Sequence, residues 1–162
     1  MTDQPETTVA RRPNKRKLQA AETRERILAA AREVFEANGY RAASVATITK
    51  TADMAHGTFY LYFKNKDDAL VQVIAEVGDE FRDLFSTRIS GDRRETVEGL
   101  LRAFFEVFAD HADLWRALLE GMMYSAVIEG LYRATSEWFV DRIAVRLDHE
   151  QERADDARVV GL

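Results

Sequence analysis

"MAHGTFYLYFKNKDDAL", residues 54–70, sets four aromatic residues within five positions: Phe59, Tyr60, Tyr62 and Phe63. On a helix with Phe59 at zero, Phe63 falls at about 40°, Tyr60 at about 100° and Tyr62 at about 300°. The two phenylalanines share a stripe that suits a core. The tyrosines flank it on opposite sides, with hydroxyls able to reach outward. Before the rings come the small residues Ala55, Gly57 and Thr58. A glycine inside a helix costs roughly 0.5–1 kcal/mol relative to alanine, and is more reasonable where another backbone must come close. A small-residue tip, flanking hydroxyls and a buried phenylalanine seam suit insertion into a DNA major groove, with the tip at base edges and the tyrosines on phosphate oxygens. A bare packing unit would explain Phe59 and Phe63 but leaves the tyrosines without a purpose.

The residues upstream supply the rest of such a device. Ile27, Ala31, Val34, Phe35 and Asn38 follow one helical face, with Thr23 as the expected N-cap and Asn38-Gly39 as a left-handed stop. Ser44 is the expected N-cap of a second, short helix reaching Lys50, with Val45, Ile48 and Ala52 inward. Asp53 tolerates the tight break that follows, and "AHGTFYLYF" makes a third helix. Short helix, turn, short helix is a helix-turn-helix. Asn65 is placed to cap a fourth helix, with Asp67 and Asp68 in its first turn, where the dipole favours anions. Its apolar period runs from Leu70 to Phe85, with an end near residues 90–92.

Three more helical stretches follow, marked by Val97 to Phe108, Leu114 to Met122 and Ile128 to Ile143, and a last segment begins at Gln151. The reading is all-α, a small N-terminal helical unit continuous with a larger bundle. The domain reading is a flexible basic arm over 1–20, a helix-turn-helix domain over 21–67 and a helical ligand-binding and dimerisation domain over 68–162.

Composition narrows the classes. The chain has 162 residues, 46% apolar and 31% charged, with no cysteine, so it holds no disulfide or thiolate site. It shows no apolar run of the roughly 20 residues a membrane span needs and no leader-like start, so a cytoplasmic protein is expected. The formal charge of −5 conceals a division. Residues 1–66 carry 12 Lys and Arg against 7 Asp and Glu, whereas the remainder carries 11 against 21. One basic face on an acidic whole is where a polyanion would dock. The chain has no phosphate-binding glycine loop, HExxH or nucleophile elbow, so neither enzyme chemistry nor a cofactor or metal site is indicated.

The stretch "ETRERILAAAREVFEANGYRAASVATITKTADMAHGTFYLYFKNKDDAL" resembles the DNA-binding domain of the tetracycline-repressor (TetR) family of bacterial transcription regulators. The resemblance implies a ligand-responsive repressor that binds a palindromic double-stranded operator as a homodimer and is released by a small hydrophobic or amphipathic inducer. It places Ser44 and Thr47 near the phosphate backbone, Ala55, His56, Gly57 and Thr58 at base edges, and Tyr60, Tyr62 and Lys66 on phosphates. Departures from the family pattern are Thr49 and Thr51 for alanine, Asp53 for glycine, Met54 for valine, and Ala55 where serine or threonine caps the recognition helix. The family normally continues into two further helices beyond the point where this chain ends.

Arg11, Arg12, Lys15, Arg16 and Lys17 form the arm, which either enters the adjacent minor groove or is a solvated tail. Phe104, Phe108, Trp115, Met122, Tyr132 and Phe139 are the candidates to line an inducer pocket, against the plainer reading that they pack a bundle core. Arg116, Glu120 and Arg133 either hold a polar ligand group or pair on the surface. His111 and His149 are expected to face solvent or meet carboxylates. The alternative function is a helical small-molecule carrier or sensor that does not bind DNA.

Overall fold

A computed structural model describes residues 15–86 and 93–159. Seven helices account for nearly all of them: α1 (Lys15–Ala42), α2 (Val45–Thr51), α3 (His56–Phe59), α4 (Lys66–Ser86), α5 (Arg93–Asp110), α6 (Ala112–Met122) and α7 (Ala126–Val159). No strand occurs among the described residues.

Helix α1 begins at Lys15, inside the stretch read as a flexible arm. Thr23 is thus not an N-cap. It lies within the helix and its hydroxyl donates to the Gln19 carbonyl at 2.8 Å. The run from Lys15 to Ala21 has good helix formers and no proline, and local propensity carries the helix outward past its packed face. At the other end the chain breaks where expected: Gly39 takes φ 72°, a left-handed conformation. A last turn then reaches Ala42.

The core joins α1, α2, α3 and α4. Ile27, Phe35, Ile48, Phe59, Leu70, Val73 and Val77 are wholly inaccessible to solvent and form one cluster. Helix α6 lies across α1 and adds Leu114, Ala117 and Leu118, and α7 adds Ile128. Burying such a side chain contributes about 1.5–3 kcal/mol each.

Polar bonds fasten α6 to the end of α1. The Arg116 guanidinium donates to the Glu36 carbonyl at 3.0 Å, and the Glu120 carboxylate accepts from the Arg41 N–H at 3.2 Å. Arg32 donates to His111 Nδ1 at 2.8 Å. Because arginine only donates, Nδ1 must accept, so the ring hydrogen sits on Nε2 and goes to Glu80 at 3.0 Å. His111 therefore meets a carboxylate, one of the two expected outcomes. His149 lies outside the described side chains. Arg133 pairs with Glu129 at 2.7 Å and Arg116 with Asp113 at 3.1 Å, the surface pairing expected as one reading.

Candidate nucleic-acid interface

Ser44 starts the site. Its Oγ accepts the Thr47 N–H at 3.1 Å and sits 2.8 Å from Thr47 Oγ1. This cap fixes the entry of α2 and holds both hydroxyls at the helix N-terminus. Whichever oxygen donates across the pair, one hydroxyl hydrogen is not spent on the other. Thr49 faces inward, and its hydroxyl donates to the Val45 carbonyl at 2.9 Å. That bond explains how a threonine is accommodated there.

The turn follows. Asp53 takes φ 52°, the left-handed conformation that aspartate tolerates, and is exposed. Arg26 reaches from α1 and donates to the Ala52 carbonyl at 3.0 Å, bracing this turn from behind. Arg24 donates to Gln72 at 2.9 Å and lies 5.4 Å from the Phe63 ring centroid, tying α1 to α4. Neither arginine stood out in the sequence, because their partners are 26 and 48 residues away.

Helix α3 is a single turn, shorter than the nine-residue stretch suggested. Ala55 is its N-cap and makes no side-chain cap bond. Phe59 is fully buried and Phe63 nearly so, with ring centroids 5.4 Å apart. Against that anchor the other residues turn outward. Ala55, His56 and Gly57 are exposed and Thr58 is half-buried. The His56 ring meets Tyr60 edge-on at 5.5 Å. Tyr60 is 54% exposed, while Tyr62 is half-buried and packs against the core. A Cβ placed on Gly57 would meet nothing within 4 Å among the described residues, so no packing among them requires a glycine there. Leu61, not singled out from sequence, is 78% exposed beside Tyr60.

Lys66 is half-buried and also bonds within the chain. Its ammonium donates to the Tyr40 and Ala43 carbonyls at 2.9 and 3.2 Å and lies 4.1 Å from the Tyr40 ring centroid. Two of its three hydrogens are thus committed to the end of α1. Asn65 caps α4 by accepting the Asp68 N–H at 2.9 Å, and Asp68 accepts the Lys64 N–H at 3.0 Å in return. Tyr40 is buried and its hydroxyl donates to Asp67 at 2.8 Å. Burial, reinforced by the Asp67 carboxylate, pushes the phenol up to about 12.

Arg11 and Arg12 lie outside the described residues. Lys15, Arg16 and Lys17 stand exposed on the first turn of α1, a helical extension rather than a coil.

The expected pocket residues separate. A cavity of about 170 Å³ between α4, α6 and α7 is lined by Ile74, Ala75, Gly78, Trp115, Leu131 and Trp138, with Arg82 and Thr135 supplying polar groups. Of the five candidates whose side chains are described, Trp115 alone borders it. Phe108 stacks on Trp115, at 5.4 Å between centroids, and lines an open groove of about 700 Å³ between α1, α5 and α6. Phe104 stacks in turn on Phe108. Met122 is half-buried against the core. Tyr132 lines neither space: Leu131, Thr135 and Trp138 occupy the inward i, i+4, i+7 stripe, and the next residue along is rotated by about 100°. The Phe139 side chain lies outside the described ones. Among the described residues no group of three or more His, Asp or Glu is placed to hold a metal, and no helix is long and apolar enough to cross a membrane.

Comparison with known proteins bears on this geometry. The sequence model of bacterial regulatory proteins, tetR family, matches residues 27–73, the span from the first packed turn of α1 to the middle of α4. The chain is 33% identical over 132 residues to the HTH-type transcriptional regulator UidR of Escherichia coli K12, covering 77% of this chain and 66% of that protein. It is 47% identical over 55 residues to the fatty acid metabolism regulator protein of Bacillus subtilis 168, covering 34% of this chain and 28% of that one. A transcriptional regulator from Aquifex aeolicus VF5 superposes with a TM-score of 0.60 at 28% identity, over 74% of this chain and 68% of its own. The chain thus spans up to about two thirds of the length of these curated relatives. All-helical fold and matched sequence agree, and the chain belongs to the tetR family of bacterial regulatory proteins.

Proposed function

We propose that this protein is a DNA-binding transcription repressor that seats α3 in the major groove and is released from DNA by a small ligand. One observation carries the reading. The tip of α3 is exposed and glycine-bearing, yet it is fastened by a phenylalanine pair buried beneath it. The free space over Gly57 is what a duplex would fill. His56 and Thr58 offer hydrogen-bonding groups to base edges, and Tyr60, with the Ser44 and Thr47 hydroxyls, offers them to phosphates. Tyr62, being half-buried, adds less. The exposed Lys15, Arg16 and Lys17 extend α1 as a basic spur toward the same polyanion. The protein works as a homodimer on a palindromic site in the cytoplasm, with two α3 helices set about 34 Å apart to meet successive grooves. The cavity beside Trp115 takes the ligand, an apolar molecule with one polar group for Arg82 or Thr135. The role requires no enzymatic step.

Selection of bound duplexes from a random pool tests the reading. Tyr60→Phe should weaken binding about 10–100-fold for every recovered sequence, since it removes one hydrogen bond to a charged group. His56→Ala should change the sequence recovered. Absence of any binding at low salt would leave the carrier as the better description.

A further inference from the structure

Asp67 opens α4 directly behind the recognition segment, and both its carboxylate oxygens are taken by other elements. Oδ1 accepts from the Tyr40 hydroxyl at 2.8 Å, and Oδ2 from the Ser125 hydroxyl at 2.7 Å. Ser125 immediately precedes α7, and its oxygen also accepts the Ile128 N–H at 3.4 Å. Three segments far apart in sequence, the end of α1, the start of α4 and the start of α7, therefore meet at one carboxylate.

The surroundings leave little slack. Tyr40 stacks on Tyr124 of the α6–α7 turn, with centroids 6.4 Å apart. A Cβ on Gly121 would come within 2.9 Å of Ile128 Cδ1 and 3.3 Å of Tyr40 Cδ2, so α6 presses on the same ring. On the other side, Asp67 is joined to buried Phe63 by three residues, one of which caps its own helix. Hydrogen bonds to an ionised acceptor are roughly twice as strong as neutral ones. In the helix bundle, Ser125–Asp67 is a direct bond from the α6–α7 turn to the base of the recognition element.

We propose that Asp67 is a positioning residue for the recognition helix: through Ser125 it makes the seating of residues 56–63 depend on where the α6–α7 turn lies. Movement of that turn that draws Ser125 away releases Asp67 and loosens the reading element. The inference rests on the DNA-reading role assigned to α3, but its test needs no DNA.

Amide hydrogen exchange on the full chain separates this role from simple capping of α7. Ser125→Asp keeps a good N-cap oxygen while setting carboxylate against carboxylate. Exchange across residues 54–66 should then rise about tenfold, with residues 27–35 unchanged. Adding Asp67→Asn should bring it back to within about twofold, because an amide can donate to the new carboxylate. Ser125→Ala, which leaves no repulsion, should give a smaller rise of about threefold in the same region. Unchanged exchange at 54–66 in Ser125→Asp and Ser125→Ala overturns the proposal. So does a rise shared equally by 27–35, or a double variant as fast as Ser125→Asp alone. A wild-type chain that binds no duplex yet shows the localised, rescued pattern would refute the DNA reading and leave the coupling in place.

Discussion

Residues 15–77 and residues 93–159 are both helical and both carry many apolar side chains, yet they dispose of them differently. In the first region Ile27, Phe35, Ile48, Phe59, Leu70 and Val77 are wholly buried against one another. Its exposed large apolar side chains are Leu18, on the projecting start of α1, and Tyr60 and Leu61, at the recognition turn. In the second region Leu114, Leu118 and Ile128 join the core, while Phe105, Met123, Val127 and Val140 are mostly exposed. The contrast shows what apolar periodicity means. It marks the face a helix turns away from water, and it does not name what covers that face. The N-terminal unit covers its face with its own helices and with α6 and the start of α7, and leaves exposed only the few apolar side chains at the start of α1 and beside α3.

The sharpest way to break this comparison is to cut one aromatic from each region. Phe59→Ala should cost about 3–5 kcal/mol of stability, the usual penalty for emptying a buried phenylalanine site. Phe105→Ala, on an exposed face, should stay within about 0.5 kcal/mol. Urea denaturation of both variants measures the difference, and equal losses would mean that the two regions form one uniform core.

Two glycines sharpen it further. Gly39→Ala should cost about 1–2 kcal/mol, because alanine resists a φ of 72° and its Cβ would stand 2.6 Å from Glu120 Oε2. Gly57→Ala meets nothing among the described residues and should leave stability unchanged or raise it by about 0.5–1 kcal/mol. Its effect belongs to DNA: affinity for a selected operator should fall, since the methyl enters the space a base edge would occupy. Thermal melting paired with a binding titration reads both outcomes.

A further effect lies at alkaline pH. The Tyr40 phenol is raised in the folded state above its ordinary value of 10, to about 12, so the neutral form is the one the fold favours. Its contribution is fully present below about pH 10 and is lost as pH rises toward about 12. Ultraviolet titration should show a tyrosine phase at about 12, and Tyr40→Phe should abolish it. A Tyr40 phenol that ionises at its ordinary value of 10 would mean that it is neither buried nor bonded to Asp67 in solution.

The helical class, the Ser44 and Asn65 caps, the breaks at Gly39 and Asp53 and the Phe59–Phe63 anchor were legible in the sequence. Each depends on a local preference: a hydroxyl or amide for a free N–H, a residue that accepts positive φ, or rings four positions apart on a helix. The start of α1 was misread because a charged stretch with no apolar face can still be helical. Only the fold brought the Tyr40 and Ala43 carbonyls, at and just past the end of α1, to the Lys66 ammonium. Arg26, Arg24 and the Tyr40–Asp67–Ser125 junction left no trace in the sequence, and neither did the choice of Leu131 over Tyr132 beside the cavity. These depend on where separate helices cross. A helix crossing is set by the sum of many packed side chains, so no single stretch of residues records which distant group will arrive opposite another.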